Sequence, residues 1–129
     1  MEIIIWQYGR QLHGMEIMKY KEKLLTYIEV EKPYINNDLK LSDLAEAMSV
    51  SKHHMSQIIN EHFKIGFYDF INKQRVEEAI KILEDPLIQL NITETAYHCG
   101  FNNKVSFYKA FRKFTGRIPT EYLKKRLVK

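Results

Sequence analysis

A chain of 129 residues holds one compact domain, or two very small ones packed together. Hydrophobic residues at 45% and charged residues at 28% give the balance of a soluble globular protein, and five Gly with three Pro leave little room for the turns of an all-β sandwich. The single cysteine, Cys99, excludes an internal disulfide framework and a multi-thiolate metal site, and it fits a reducing cytoplasm.

In chain order, the first apolar run is Ile3-Ile4-Ile5-Trp6. It is far shorter than the roughly 20 residues that span a bilayer, and Glu2 before it lacks the positive flank of a secretory signal. Residues 1–18 read as a linker or a cloning remnant. Tyr20–Glu31 carries Leu24, Leu25, Tyr27 and Ile28 at helical spacing, and Pro33 closes it. A short helix begins at Leu41, and Ser51 starts a second one after a turn. From Phe67 to Glu84, Val76, Ala79, Ile80 and Leu83 recur at i, i+3, i+4, i+7, the spacing of an amphipathic helix that Asp85-Pro86 stops. At about 1.5 Å per residue it is roughly 27 Å long, enough to hold two small bundles apart. Asn91 with Glu94 has the form of a capping box before the next short helix, Asn103 opens another, and Pro119 with Glu121 opens the last, Pro119–Leu127. No segment alternates with a strand's period of two. The predicted fold is all-α with about seven helices, divided as 19–66, a linking helix 67–85, and 86–129.

The chain repeats itself. Leu41-Ser-Asp-Leu-Ala matches Ile92-Thr-Glu-Thr-Ala at an offset of 51, and one extra residue later Met55 matches Phe107, Ile59 matches Phe111 and Phe70 matches Tyr122 at 52. Two copies are too few for a solenoid. Each reads as a short helix, a turn, a second helix, a break and a third helix, the sequence of elements in a helix-turn-helix unit.

The second helix of each copy is amphipathic at 100° per residue. Within Lys104–Phe114, Phe107, Ala110, Phe111 and Phe114 form one stripe, opposite Val105, Lys109 and Arg112, with Ser106, Tyr108 and Lys113 on the flanks. Within Lys52–His62, Met55, Ile58 and Ile59 turn inward with His62 nearby, whereas His53, Gln57 and Asn60 turn outward beside Ser56. Charge supports a nucleic-acid role for the later copy: Lys104–Lys129 carries nine Lys or Arg against one acid, a net +8, leaving −4 on the other 103 residues. The outward residue types suit base edges. Gln57 suits a bidentate bond to adenine, Lys109 suits guanine O6 and N7, and Val105 suits a thymine methyl. His53, Ser56, Lys104 and Tyr108 reach base or phosphate. Arg112 and Lys113, farther along the helix, are expected on phosphates. Lys52, Asn60, Arg117, Lys124 and Lys125 complete the expected phosphate set. Taken singly, each is an exposed polar side chain like many others; recurrence at equivalent positions of both copies lifts the set.

These residues carry a resemblance. The segment from Leu41 to about Arg126, two-thirds of the chain, resembles the DNA-binding domain of AraC-type transcription regulators. The likeness is strongest in Phe70-Ile-Asn-Lys-Gln-Arg-Val-Glu-Glu-Ala79, Ala96-Tyr-His-Cys-Gly-Phe101, Phe107-Tyr-Lys-Ala-Phe-Arg-Lys-Phe-Thr-Gly116 and Pro119-Thr-Glu-Tyr122. It implies two helix-turn-helix subdomains reading successive major-groove segments, about 34 Å apart, on one face of double-stranded DNA. Position by position it implies His53, Ser56 and Gln57 as base readers in the first subdomain, and Lys104, Val105, Tyr108 and Lys109 in the second. RNA polymerase is a further implied partner, as is a sensor domain upstream, because the likeness in Tyr27–Asn37 and Ile59-Asn60-Glu61 leans toward regulators whose DNA-binding part follows a membrane-spanning sensor. The chain is then either a short stand-alone regulator or, as this likeness favours, a fragment of a larger protein on the cytoplasmic side, with no membrane contact of its own. Two departures stand out. The family's usual glycine after the first recognition helix is Lys64 here, which predicts a different helix end, since a left-handed Lys costs energy that glycine avoids. Leu123 replaces a common arginine, although Lys124-Lys125-Arg126 keeps the charge.

The rival readings are weaker. Cys99 beside Gly100 suits a small buried hydrophobe better than a nucleophile, and no cofactor motif is present, so an enzyme is not expected. His53-His54 diverge by 100° and cannot both chelate a metal with His62. The alternative is a non-catalytic interaction module whose basic C-terminal half docks an acidic protein or an anionic membrane surface.

Overall fold

A computed structural model describes residues 14–128, with side chains through Leu123. Among these residues there is no strand, and seven α-helices run in order: α1 Gly14–Glu31, α2 Leu41–Ala47, α3 Lys52–Phe63, α4 Phe67–Glu84, α5 Ile92–His98, α6 Lys104–Thr115 and α7 Pro119–Val128, with a 3-10 turn at Pro33–Ile35. The all-α expectation holds. The chain divides into two compact units. One takes the residues to Pro33 with Asp38–Phe70; the other takes Tyr34–Asn37 with the chain from Ile71 onward, so α4 supplies its first turn to one and the rest to the other.

The first unit buries Ile17, Leu24 and Ile28 of α1, Leu44 and Ala45 of α2, Met48 of the turn, Met55, Ile58 and Ile59 of α3, and Phe70. Helix α1 corrects two expectations, since it begins at Gly14 rather than Tyr20, and residues 14–18 are helix rather than linker. Ile17 lies seven residues before Leu24, two turns up the same stripe, and its burial draws that stretch into the helix. The expectation for residues 1–13 falls outside the described residues.

The second unit packs Val76, Ala79, Ile82 and Leu83 of α4 against Ala96, Cys99, Phe101, Phe107, Ala110 and Phe111. Its aromatic rings meet edge-on or tilted: Phe101 lies 5.2 Å from Phe107, Phe107 lies 5.6 Å from Phe111, and Phe111 lies 5.2 Å from Tyr122. Such pairs add about 0.5–1.5 kcal/mol each beyond the area they bury. The strap Tyr34–Asn37 is held by Arg75, whose Nε donates to the Tyr34 carbonyl at 2.7 Å and whose second guanidinium nitrogen donates to the Asn36 carbonyl at 3.0 Å. The Tyr34 hydroxyl donates to Glu78 Oε1 at 3.3 Å, and burial, reinforced by that carboxylate, pushes the phenol above its ordinary pKa.

The repeat is repeated in hydrogen bonds. In the first unit the Val50 N–H reaches the Ala45 carbonyl at 3.0 Å, and in the second the Phe101 N–H reaches the Ala96 carbonyl at 3.0 Å. Ser49 (φ 57°) and Gly100 (φ 102°) turn the chain at equivalent places, as do Lys64 (φ 60°) and Gly116 (φ 74°) after the second helices. Lys64 therefore corrects the expectation of a different helix end. Its N–H caps the Asn60 carbonyl at 3.0 Å, matching Gly116 on Arg112 at 2.8 Å. A left-handed Lys costs about 1–2 kcal/mol, a cost this turn bears in order to close the helix in the repeat's geometry.

Candidate nucleic-acid interface

Both recognition candidates are 12-residue helices that follow 7-residue helices, and both start on a side-chain cap. Ser51 Oγ accepts the His54 N–H at 3.1 Å, and Asn103 Oδ1 accepts the Ser106 N–H at 2.8 Å. These caps satisfy otherwise orphaned backbone donors and fix the angle at which each helix leaves its turn. The preceding α5 is held by the expected reciprocal box: Asn91 Oδ1 accepts the Glu94 N–H at 2.8 Å, and Glu94 Oε1 accepts the Asn91 N–H at 3.3 Å. At α2 only half of that device exists. The Asp43 carboxylate accepts the Lys40 N–H at 2.8 Å, and a lysine ammonium has no acceptor to return.

On α6, Lys104, Val105, Lys109, Arg112 and Lys113 are exposed, opposite the buried Phe107, Ala110 and Phe111. Val105 is 77% exposed, one of several apolar side chains left in water. Tyr108 is half-buried, with its ring edge-on to Phe107 at 6.0 Å and the Lys104 ammonium 5.5 Å above its centroid. Lys104, Val105 and Tyr108 line an open hollow of about 400 Å³. Its chemistry is an aliphatic surface, an aromatic ring and a cation, which together fit a base edge or a methyl beside a phosphate. The Lys113 ammonium lies 5.7 Å from the Phe114 centroid.

On α3, Lys52, His53 and Asn60 are exposed and Ser56 and Gln57 are half-buried, on the side away from Met55, Ile58 and Ile59. Here the polar residues bond to one another along the helix. Asn60 Nδ2 donates to Ser56 Oγ at 3.3 Å, and Gln57 Nε2 donates to Glu61 Oε1 at 3.2 Å. Two residues escaped the sequence reading. Glu61 sits four residues after Gln57, a spacing that signals such a pair on a helix. His54, polar by type, is fully buried; its Nδ1 lies 2.9 Å from Ser51 Oγ, so the cap and the buried ring hold each other.

Arg117 is exposed and its Nε lies 4.0 Å from Glu121 Oε2, a surface pair too solvated to hold it strongly. Lys124 and Lys125 lie in α7, and their side chains fall outside the described ones. The structure thus gathers Lys104, Val105, Tyr108, Lys109, Arg112 and Lys113 on one helix, and Lys52, His53, Ser56, Gln57 and Asn60 on another. Cys99 is fully buried. Among the described residues no three His, Cys, Asp or Glu side chains are grouped to hold a metal, and no helix is long and apolar enough to cross a membrane.

Comparison with known proteins gives consistent findings. The helix-turn-helix domain family matches residues 44–125. An HTH-type transcriptional regulator of Staphylococcus aureus (strain COL) is 34% identical over 113 residues, covering 88% of this chain and 15% of that protein. In structure, the chain is similar to the C-terminal domain of the two-component response regulator yesN from Fusobacterium nucleatum, with 28% identity and a TM-score of 0.67 over 81% of this chain and 98% of that one. It also shares its fold with a transcriptional regulator from Chromobacterium violaceum described as AraC-type, at 19% identity and a TM-score of 0.69 over 84% of this chain and 96% of the other.

Proposed function

The chain belongs to the helix-turn-helix family of AraC-type transcription regulators, a family of DNA-binding domains rather than enzymes, and on that premise we propose that α3 and α6 enter successive major-groove segments of its target duplex. The single observation that carries the assignment is the matched pair of capped 12-residue helices, each with a non-apolar side made of the same repeat positions.

In this reading His53, Ser56 and Gln57 read bases in one half of the site, and Lys104, Val105, Tyr108 and Lys109 read them in the other. Lys52, Asn60, Arg112, Lys113, Arg117, Lys124 and Lys125 hold phosphates. The exposure of Val105 supports a thymine methyl as its partner, because leaving that surface in water is unfavourable and a methyl covers it. The chain spans about 15% of the length of curated relatives it matches. A sensor upstream, contact with RNA polymerase and a cytoplasmic location extend the reading to the whole regulator.

Selection of bound duplexes from a randomised library tests it. The wild-type chain should return a bipartite site. Gln57→Ala and Lys109→Ala should each change which base is preferred at one position, by about 1–3 kcal/mol for a bidentate contact. Arg112→Ala or Lys113→Ala should weaken binding to every sequence and reduce the slope of log K against log salt by about 1. Equal losses on selected and random duplexes for the Gln57 and Lys109 variants would overturn the assignment of readers.

A further inference from the structure

Val105 and Tyr108 lie three residues apart in the first turns of α6, and Lys104 lies four before Tyr108, so the three side chains share one face of the helix. Around the open hollow of about 400 Å³ they set the exposed isopropyl group of Val105, the half-buried Tyr108 ring, and the Lys104 side chain with its ammonium 5.5 Å above that ring. The ring is steadied from behind, where it meets the fully buried Phe107 edge-on at 6.0 Å. The offset of 52 that superposes α3 on α6 places Lys52, His53 and Ser56 at the equivalent positions. The lysine is repeated, but the aliphatic wall becomes an imidazole and the ring a hydroxyl. An apolar lining of this kind belongs to α6, and it suits an apolar group on whatever that helix reads.

We propose that this hollow reads the C5-methyl group of a pyrimidine and gains as much from 5-methylcytosine as from thymine, so that cytosine methylation of the duplex strengthens binding in the second half-site. This rests on α6 being a reading helix. On the major-groove edge of the four ordinary bases, the alkyl group is the thymine methyl, and a methylated cytosine carries the same group in the same place. The two pyrimidines differ at C4, where thymine has an acceptor oxygen and cytosine an amino donor. Valine bonds to neither. The Tyr108 hydroxyl both donates and accepts, so it suits the oxygen and the amino group alike. Removal of a methyl from water is non-directional and follows the area covered, so its worth does not depend on the neighbouring substituent. An ammonium only donates and would favour the thymine oxygen, but attraction to the Tyr108 π face keeps Lys104 toward the ring, beside the flanking base or phosphate.

Synthetic duplexes that differ by one methyl isolate the effect, with the full chain at fixed salt. Each thymine of a selected duplex is replaced in turn by deoxyuridine, opposite an unchanged adenine. At the position where this weakens binding, cytosine and 5-methylcytosine are then compared opposite guanine. Loss of the methyl should lower affinity about four-fold in both pairs, the worth of taking one methyl out of water. Val105→Ala should bring both ratios below about two-fold, because the alanine leaves most of that wall missing. Val105 is exposed, and circular dichroism verifies that its variant keeps the wild-type helicity. If deoxyuridine matches thymine at every position, no methyl is read and the proposal falls. It falls equally if deoxyuridine weakens binding while 5-methylcytosine only equals cytosine, since thymine is then recognised through its C4 oxygen. If Val105→Ala keeps both ratios, the methyl is read away from this hollow. In each of these cases a changed base preference in Lys109→Ala leaves α6 a reading helix. If neither variant alters base preference at any position, the assignment of α6's readers falls and the proposal with it.

Discussion

Glycine and lysine at matched turns measure what one backbone angle is worth. Gly116 and Lys64 adopt the same left-handed cap, and so do Gly100 and Ser49 in the helix-turn-helix turns. Among the described residues, the non-glycine residues with positive φ are Lys32, Ser49 and Lys64, all in the first unit. Replacing Lys64 by glycine should relieve about 1–2 kcal/mol of left-handed strain and give back about 0.5–1 in chain entropy. The first unit should gain from a few tenths to about 1 kcal/mol, read as a higher denaturation midpoint at an unchanged urea slope. Gly100→Ala is the opposite case. A Cβ there would strike the Tyr34 carbonyl oxygen and come within 2.9 Å of Arg75 Nε, at a φ that side chains rarely adopt. Neither the strap nor the half-buried guanidinium can retreat without breaking the hydrogen bond between them. A loss of about 2–4 kcal/mol from the second unit is expected, whereas Gly116→Ala, with open space around it, should cost only about 1.

Capping decides where each recognition helix points. Asn103→Ala leaves the Ser106 N–H without its 2.8 Å acceptor and should cost about 1 kcal/mol. The same change frays the turn that carries Lys104 and Val105, so binding to a selected duplex should fall more than binding to random duplex. Asn103→Asp keeps the cap but sets a negative charge toward DNA; stability should be retained and affinity should fall on all sequences alike. Thermal melting with paired titrations of selected and random duplex distinguishes the two variants. These caps also explain why the sequence was readable. Ser51, Asn91, Asn103 and Pro119 are local signals, and the helices begin where they stand. The repeat then added long-range information, since equal offsets of apolar residues require equal packing. What escaped depends on burial rather than pattern. His54 is polar by type and buried by position, because Ser51 Oγ gives its ring nitrogen a partner 2.9 Å away. The left-handed Lys64 escaped for a related reason: a preference of about 1–2 kcal/mol yields to the need to close a helix over a packed core. The extension of α1 to Gly14 rests on one buried side chain, Ile17, which sequence spacing alone did not separate from its exposed apolar neighbours Met15 and Met18. On the interface side, the wheel found both non-apolar faces but not the Gln57–Glu61 bond, which requires knowing rotamers as well as spacing.

Charge is divided between the two halves of the chain, and with it the work of binding. The stretch Lys104–Lys129 carries a net +8 and the other 103 residues carry −4. Phosphate contacts release counterions, each adding about 0.9 to the dependence of log K on log salt, and they supply nearly all non-specific affinity. The non-apolar side of α6 offers Lys104, Lys109, Arg112 and Lys113, all exposed; that of α3 offers Lys52 and His53 together with the acid Glu61. On the proposed reading, non-specific affinity should come mainly from the second unit and discrimination from the first. Two multiple variants test this division on duplexes of selected and of random sequence across a salt series. Replacing Lys52, His53, Ser56 and Gln57 with alanine should leave binding to random duplex near the wild-type value and lower the salt slope by no more than about 1, because Lys52 is the only lysine or arginine lost. The same variant should abolish base preference across its half of the site. Replacing Lys104, Lys109, Arg112 and Lys113 should reduce the slope by up to about 4 and collapse binding to both duplexes. A first-unit variant that loses its hold on random DNA would mean that a helix bearing an acid on its face carries the electrostatic anchoring, and the division of labour argued from charge would be reversed.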